Sequence, residues 1–164
     1  MQKMTTNDAI IRHNFISKVV FKDGDSVLSK NLKVKIMSMR IEYGKIHKNF
    51  DADVQEFTQG ILEDDFRAIQ QIPENDRTEE QKVKFNEYVN KYNIETNEYI
   101  NKRALDEIEV KEFTLDMDEY SELLDTNSGN DVTINDTDIP AADFLEVLYE
   151  LFVVEDESGD EVKE

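Results

Sequence analysis

From Leu32 onward the apolar positions fall at Leu32, Ile36, Met39, Tyr43, Ile46, Phe50, Val54, Phe57 and Ile61. Steps of three and four put them on one helix face, so the pattern predicts a helix of about thirty residues, about 45 Å long. One extra-residue stutter follows Phe50. Ser29 is placed to cap the start, Gly44 weakens the middle, and Gly60 is expected to close the end in a left-handed cap. Glu63 to Ile72 predicts a short helix with Phe66, Ile69 and Ile72 on one side, stopped before Pro73. Thr78 and Gln81 then form a capping box that opens a second long helix, with Phe85, Tyr88, Val89, Tyr92, Thr96, Tyr99, Ile100 and Arg103 at helical spacing. Each long helix has one apolar stripe and needs a cover. The two are therefore expected to lie antiparallel, Ile36, Met39, Tyr43, Ile46, Phe50 and Phe57 against Phe85, Tyr88, Tyr92 and Tyr99.

The flanks have shorter periods. Residues 1–14 are polar and expected to be loose, whereas Phe15-Ile-Ser-Lys-Val-Val-Phe21 predicts a strand, followed by a turn at Lys22–Asp25 and a short return strand at Ser26–Leu28. Ile108 and Val110 alternate with charged residues and predict a half-exposed strand. Leu115, Met117, Tyr120, Leu123 and Leu124 describe a helix ending at Asn127-Ser-Gly129. Val132–Ile134 and Ile139 flank a hairpin turn, and Pro140 is expected at the first position of a last helix faced by Phe144, Leu145, Leu148, Leu151 and Phe152. The fold class expected is α+β, mainly α: one domain over 1–154, with a helical hairpin at 30–103 and a small mixed α/β head from 15–28 and 104–154. Residues 155–164, with six acids and one aliphatic side chain, predict a disordered acidic tail.

Charge changes the picture most. Lys and Arg number 19 against 38 acids, a net charge of −19. Residues 1–50 nevertheless carry +6, while residues 104–164 carry −19. The total excludes a free-standing nucleic-acid binder that relies on a basic face to neutralise phosphates. With no cysteine there is no disulfide, thiolate metal site or cysteine nucleophile. The first twenty residues lack the apolar core of a signal peptide, and the most apolar run, Phe144–Val154, is cut by Glu146 and Glu150; neither secretion nor a membrane span is expected.

Candidate chemistry is sparse. No Gly-x-Ser-x-Gly, Gly-x-x-x-x-Gly-Lys or Gly-x-Gly-x-x-Gly occurs, and carboxylate pairs such as Asp64 with Asp65 or Glu79 with Glu80 are expected by chance in so acidic a chain. No enzyme, catalytic residue, cofactor or metal is therefore expected. His13 and His47 read as solvent-exposed side chains. The stretch Asp125–Asp136 has the length of an EF-hand loop, with oxygen donors at its positions 1, 3 and 7, but its glycine falls at position 5 and Asp136 stands where a bidentate glutamate is needed.

What remains is surface. Lys30, Lys33, Lys35, Arg40, Lys45 and Lys48 make a basic face expected to bind a protein partner, and the acidic C-terminal region makes a second one. If one copy's basic face meets the next copy's acidic face, the contact is heterologous and gives a ring or filament; the alternative is that the two regions neutralise each other within one molecule. In composition the chain resembles small structural and assembly accessory proteins of tailed bacteriophages: no cysteine, no catalytic motif, and a helix-rich build with an Asn-, Asp- and Lys-heavy surface. That resemblance implies a non-enzymatic role in a multi-copy assembly, in the virion or host cytoplasm. Its partners would be copies of itself or larger virion proteins, with no direct contact to nucleic acid or membrane. Two alternatives are an acidic nucleic-acid mimic that inhibits a DNA-binding protein, and a calcium-binding interaction module.

Overall fold

The computed structural model of the chain describes residues 1–23 and 25–154; the acidic tail expected at 155–164 lies outside them. It is mainly α with a little β. Helix α2, Lys30–Gly60, starts where Ser29 Oγ accepts the Leu32 N–H at 3.3 Å. Leu32, Ile36, Met39 and Tyr43 are wholly buried, but not against the second long helix, α4 (Glu79–Ala104). They join one core with Ala9, Ile16, Val110, Phe113, Leu115, Leu123, Phe144, Leu148 and Phe152. The first half of α2 thus belongs to the head, which corrects the expected hairpin packing of Ile36, Met39 and Tyr43.

The second half of α2 does run antiparallel to α4. Phe57 stacks on Tyr99 with ring centroids 4.0 Å apart, and Asp53, one turn earlier in α2, pairs with Arg103, one turn later in α4. Helix α2 runs through Gly60 and ends with Ile61 in a right-handed conformation, its N–H donating to Phe57 O at 3.1 Å, so the expected left-handed glycine cap is not used. At the elbow, α3 (Asp64–Gln70) presents buried Phe66 to the rings of Phe85, Tyr88 and Tyr92 at 5.3, 5.7 and 5.1 Å. These aromatics of α4 therefore cover α3. A 3-10 turn at Glu74–Asp76 leads to the Thr78 and Gln81 capping box, which forms as expected.

The amino-terminal segment is ordered, contrary to expectation. Strand β1 (Gln2–Thr5) pairs antiparallel with β4 (Glu107–Val110), Gln2 opposite Val110. Helix α1 (Thr6–Ile16) is opened by a capping box in which Thr5 Oγ1 accepts the Asp8 N–H and Asp8 Oδ2 accepts the Thr5 N–H, both at 3.1 Å. Phe15 and Ile16 end this helix instead of starting a strand. The reason lies on α2: Arg40 Nε donates to Ile16 O at 3.1 Å, its Nη2 donates to Val19 O, and its guanidinium lies 4.8 Å over the Phe21 ring. The carbonyls a strand would have used are bound there. Among the described residues of this region, β2 (Lys22–Asp23) and β3 (Ser26–Val27) pair, and the Leu28 N–H donates to Phe21 O at 3.2 Å.

Helix α5 (Met117–Asn127) starts from a box between Asp116 and Glu119. Strands β5 (Val132–Ile134) and β6 (Thr137–Ile139) turn at Asn135 and Asp136, whose φ of 50° and 61° give the left-handed pair a two-residue hairpin needs. Helix α6 (Ala141–Phe152) follows with Pro140 as its N-cap, one position before the expected one, and Asp131 Oδ1 accepts the Ala141 N–H at 2.8 Å. A bond from Leu115 N–H to Phe152 O at 2.7 Å ties the two segments together.

Candidate functional site

On the side of α2 away from the core, Lys30, Val34, Met37, Ile41, Lys45 and Lys48 follow one another at steps of four and three. At 100° per residue this row lies about half a turn from Leu32, Ile36, Met39 and Tyr43 and runs about 27 Å. Val34, Met37 and Ile41 are 56%, 51% and 57% exposed. A lone exposed aliphatic residue needs no explanation, whereas three in a line bracketed by lysines form a contiguous apolar ridge with a basic rim.

The six cations expected to bind a partner divide into two groups. Lys35 Nζ reaches Glu119 at 2.5 Å and Thr114 O at 3.0 Å, and Arg40 closes the end of α1, so these two hold the fold. Among the described residues, Lys30, Lys33, Lys45 and Lys48 have no hydrogen-bond or ion-pair partner. The dipole seen in the sequence is thus partly neutralised within the molecule, through Lys35 and Glu119, and partly left open. The lysines alone do not reveal the apolar half of this face. Its signal was present as a second stripe, Val34, Met37 and Ile41, opposite the core stripe of the same helix.

A second surface carries the opposite charge. Between α5 and α6 an open groove of about 470 Å³ is lined by Tyr120, Leu124, Ala142, Leu145, Glu146 and Tyr149. Tyr120 donates its hydroxyl to Leu145 O at 2.8 Å, and burial, then the Glu146 charge, raises its pKa. Residues 112–154 contain twelve acids and no Lys or Arg, so nothing within this segment offsets the exposed carboxylates of Asp125, Asp143, Glu146 and Glu150.

The remaining candidates have structural work. His13 and His47, expected in solvent, are half-buried and meet edge to face at 5.3 Å, with His47 Nε2 at 3.7 Å from Asp51. The His13 ring fits against Gly44, where a Cβ would sit 3.0 Å from Cε1. Burial first, then the charges of His47 and Arg40, lowers its pKa. In the loop compared with an EF-hand, Asn127 at position 3 is wholly buried and Asp131 at position 7 caps α6, so both are committed to backbone groups. Among the described residues no three His, Asp or Glu side chains converge on one point. Asp65 pairs with Lys84, and Glu79 pairs with Lys82 at 2.7 Å, so these acids sit in surface ion pairs; hydrogen bonds from Lys84 and Tyr88 keep Asp65 below its ordinary pKa.

No protein-family model, curated protein or solved structure matches the chain. Among the described residues no helix is long and apolar enough to cross a membrane.

Proposed function

We propose that the chain is a non-enzymatic docking subunit of an ordered multi-copy assembly, attached to its neighbours through the outer face of α2. The observation that carries this reading is the ridge of Val34, Met37 and Ile41 between four lysines that have no partner among the described residues. Covering exposed aliphatic side chains stabilises a contact by about 25 cal/mol per Å² of apolar area, and the lysines add steering and register. On a chain of net charge −19, like-charge repulsion opposes most chance encounters, so a basic apolar face selects partners by its difference from the rest of the surface. The compositional likeness to phage accessory chains supports a virion, at the head, connector or tail, as the assembly.

Isolating the chain natively, at low salt, from the cells or particles that make it tests this. The proposal predicts a complex heavier than the monomer that dissociates as salt is raised and does not form when Lys30, Lys33, Lys45 and Lys48 are all changed to Glu. That variant should keep its fold, since Lys30, Lys45 and Lys48 are exposed, Lys33 is half-buried, and charges at a surface contribute about 0–1 kcal/mol per pair. Recovery as a lone monomer at every salt concentration would refute the reading.

A further inference from the structure

We infer that the occupant of the α2 face is a second copy of this chain, presenting the groove between its α5 and α6, so that copies join head to tail. This deepens the proposed function and rests on its assignment of the α2 face as a docking surface. Complementarity carries it on both counts of shape and charge. The α2 face is a convex helix ridge, apolar along Val34, Met37 and Ile41, with Lys30, Lys33, Lys45 and Lys48 beside it. The α5/α6 surface is a concave trough with an apolar floor of Leu124, Ala142 and Leu145, and with Asp125, Asp143, Glu146 and Glu150 exposed on the same two helices. Ridge meets trough, and cation meets anion.

The other acidic surfaces of the chain fit less well. The exposed side of α4 places Lys82, Lys84 and Lys91 among its glutamates, and Lys82 and Lys84 already pair with Glu79 and Asp65. A lysine ridge brought there would meet lysines interleaved with the glutamates, not acids alone. The segment 112–154 contains no cation at all. A contact between two α2 faces is disfavoured for the same reason, because it would bring eight lysines together across one interface.

The two surfaces share no residue, so one copy can use both at once. A contact between different surfaces of identical chains is heterologous and does not stop at two: it closes as a ring or continues as a filament. Desolvated apolar contact supplies the attraction, and the unpaired charges set the direction in which each copy faces.

Sedimentation velocity on the purified full chain, from micromolar to millimolar, tests this with two uncharged surface variants. One carries Met37→Gln with Ile41→Gln, the other Leu124→Gln with Ala142→Gln, and circular dichroism establishes that each keeps its fold. The wild type should form species larger than a dimer, weakened about tenfold or more by raising salt well above physiological strength. Each variant alone should stay monomeric or nearly so, because each has lost one half of the contact. Mixed in equal amounts they should form a one-to-one dimer and nothing larger, since a single good ridge and a single good groove remain per pair. Assembly by the Leu124 and Ala142 variant alone, or failure of the mixture to dimerise, would overturn the proposal. So would a wild type that stays monomeric until residues 155–164 are removed, which would make the chain's own tail the occupant. A wild type that is monomeric when pure but belongs to a salt-sensitive native complex would overturn the head-to-tail contact alone and leave the docking subunit standing.

Discussion

Replacing Asn127 by alanine removes the clamp that holds the end of α1's following loop to the end of α5. Asn127 Oδ1 accepts the Val20 N–H at 2.8 Å and its Nδ2 donates to Val20 O at 3.3 Å, so one side-chain amide satisfies both polar groups of a residue 107 positions away. The side chain is fully buried. Each bond contributes about 0.5–1.5 kcal/mol net, and a buried group left without a partner costs about 1–3 kcal/mol. The longer bond is the weaker, and Val20 is half-buried, so water can reach part of what is exposed. The expected cost is about 2–3 kcal/mol, equivalent to a Tm lower by about 4–12 °C for a domain of this size. Urea titration should show a lower midpoint at unchanged slope, as expected for lost stability without a change in the surface exposed on unfolding. Asn127→Asp should be at least as costly at neutral pH, because a carboxylate faces Val20 O, and should recover part of the loss in acid, where a protonated carboxyl can donate again. A cost below about 0.5 kcal/mol for Asn127→Ala would refute the clamp. So would calcium-dependent stabilisation of the wild type that this variant abolishes, which would make Asn127 a metal ligand.

Three further perturbations test other parts of the packing. The His13 imidazole is held below its ordinary pKa of 6.5, so the unfolded chain takes up that proton first; stability should be full above that pH and fall as pH drops through it, and His13→Gln should flatten this part of a urea-midpoint profile. Gly44→Ala should gain less than the roughly 1 kcal/mol that alanine usually brings to a helix, because its Cβ meets His13, and should gain the full amount in a His13→Ala background, as a double-mutant cycle would read. Phe66→Ala, which empties the centre of the elbow cluster, should cost about 3–5 kcal/mol, against about 1–2 kcal/mol for half-buried Phe50→Ala, with thermal melts as the comparison.

Local signals in the sequence carried most of the secondary structure. The α2 stripe, the Thr78 and Gln81 box and the β5–β6 hairpin depend on neighbours within a few residues, and each forms where its pattern lies. Helix α1 escaped notice because its buried positions are Thr6, Ala9 and Ile16, a face too small and polar to stand out, although Thr5 and Asp8 already spelled a capping box. The strand expected at 15–21 rested on β-branched and aromatic content, which lost to a distant side chain, Arg40, binding the carbonyls of Ile16 and Val19. The α2 stripe could not say which element covers which part of it, since Leu32 to Tyr43 and Val54 to Phe57 look alike in sequence yet pack against different neighbours. At the candidate site the lysines were visible, but which of them the fold would use depended on where Glu119 and the end of α1 came to lie.

Oxidation of Met37 by dilute peroxide, followed by mass spectrometry, is the most direct test of the central claim that the outer face of α2 is a docking surface. Met1, 79% exposed, and Met39, fully buried, lie on the same chain as internal standards for access and protection. Met37, 51% exposed in the single chain, should oxidise at a rate nearer Met1 after the natively isolated assembly has been dissociated by salt, and nearer Met39 while it is intact. Equal Met37 oxidation in the two states, with Met1 and Met39 unchanged, would place the docking surface elsewhere and contradict the account.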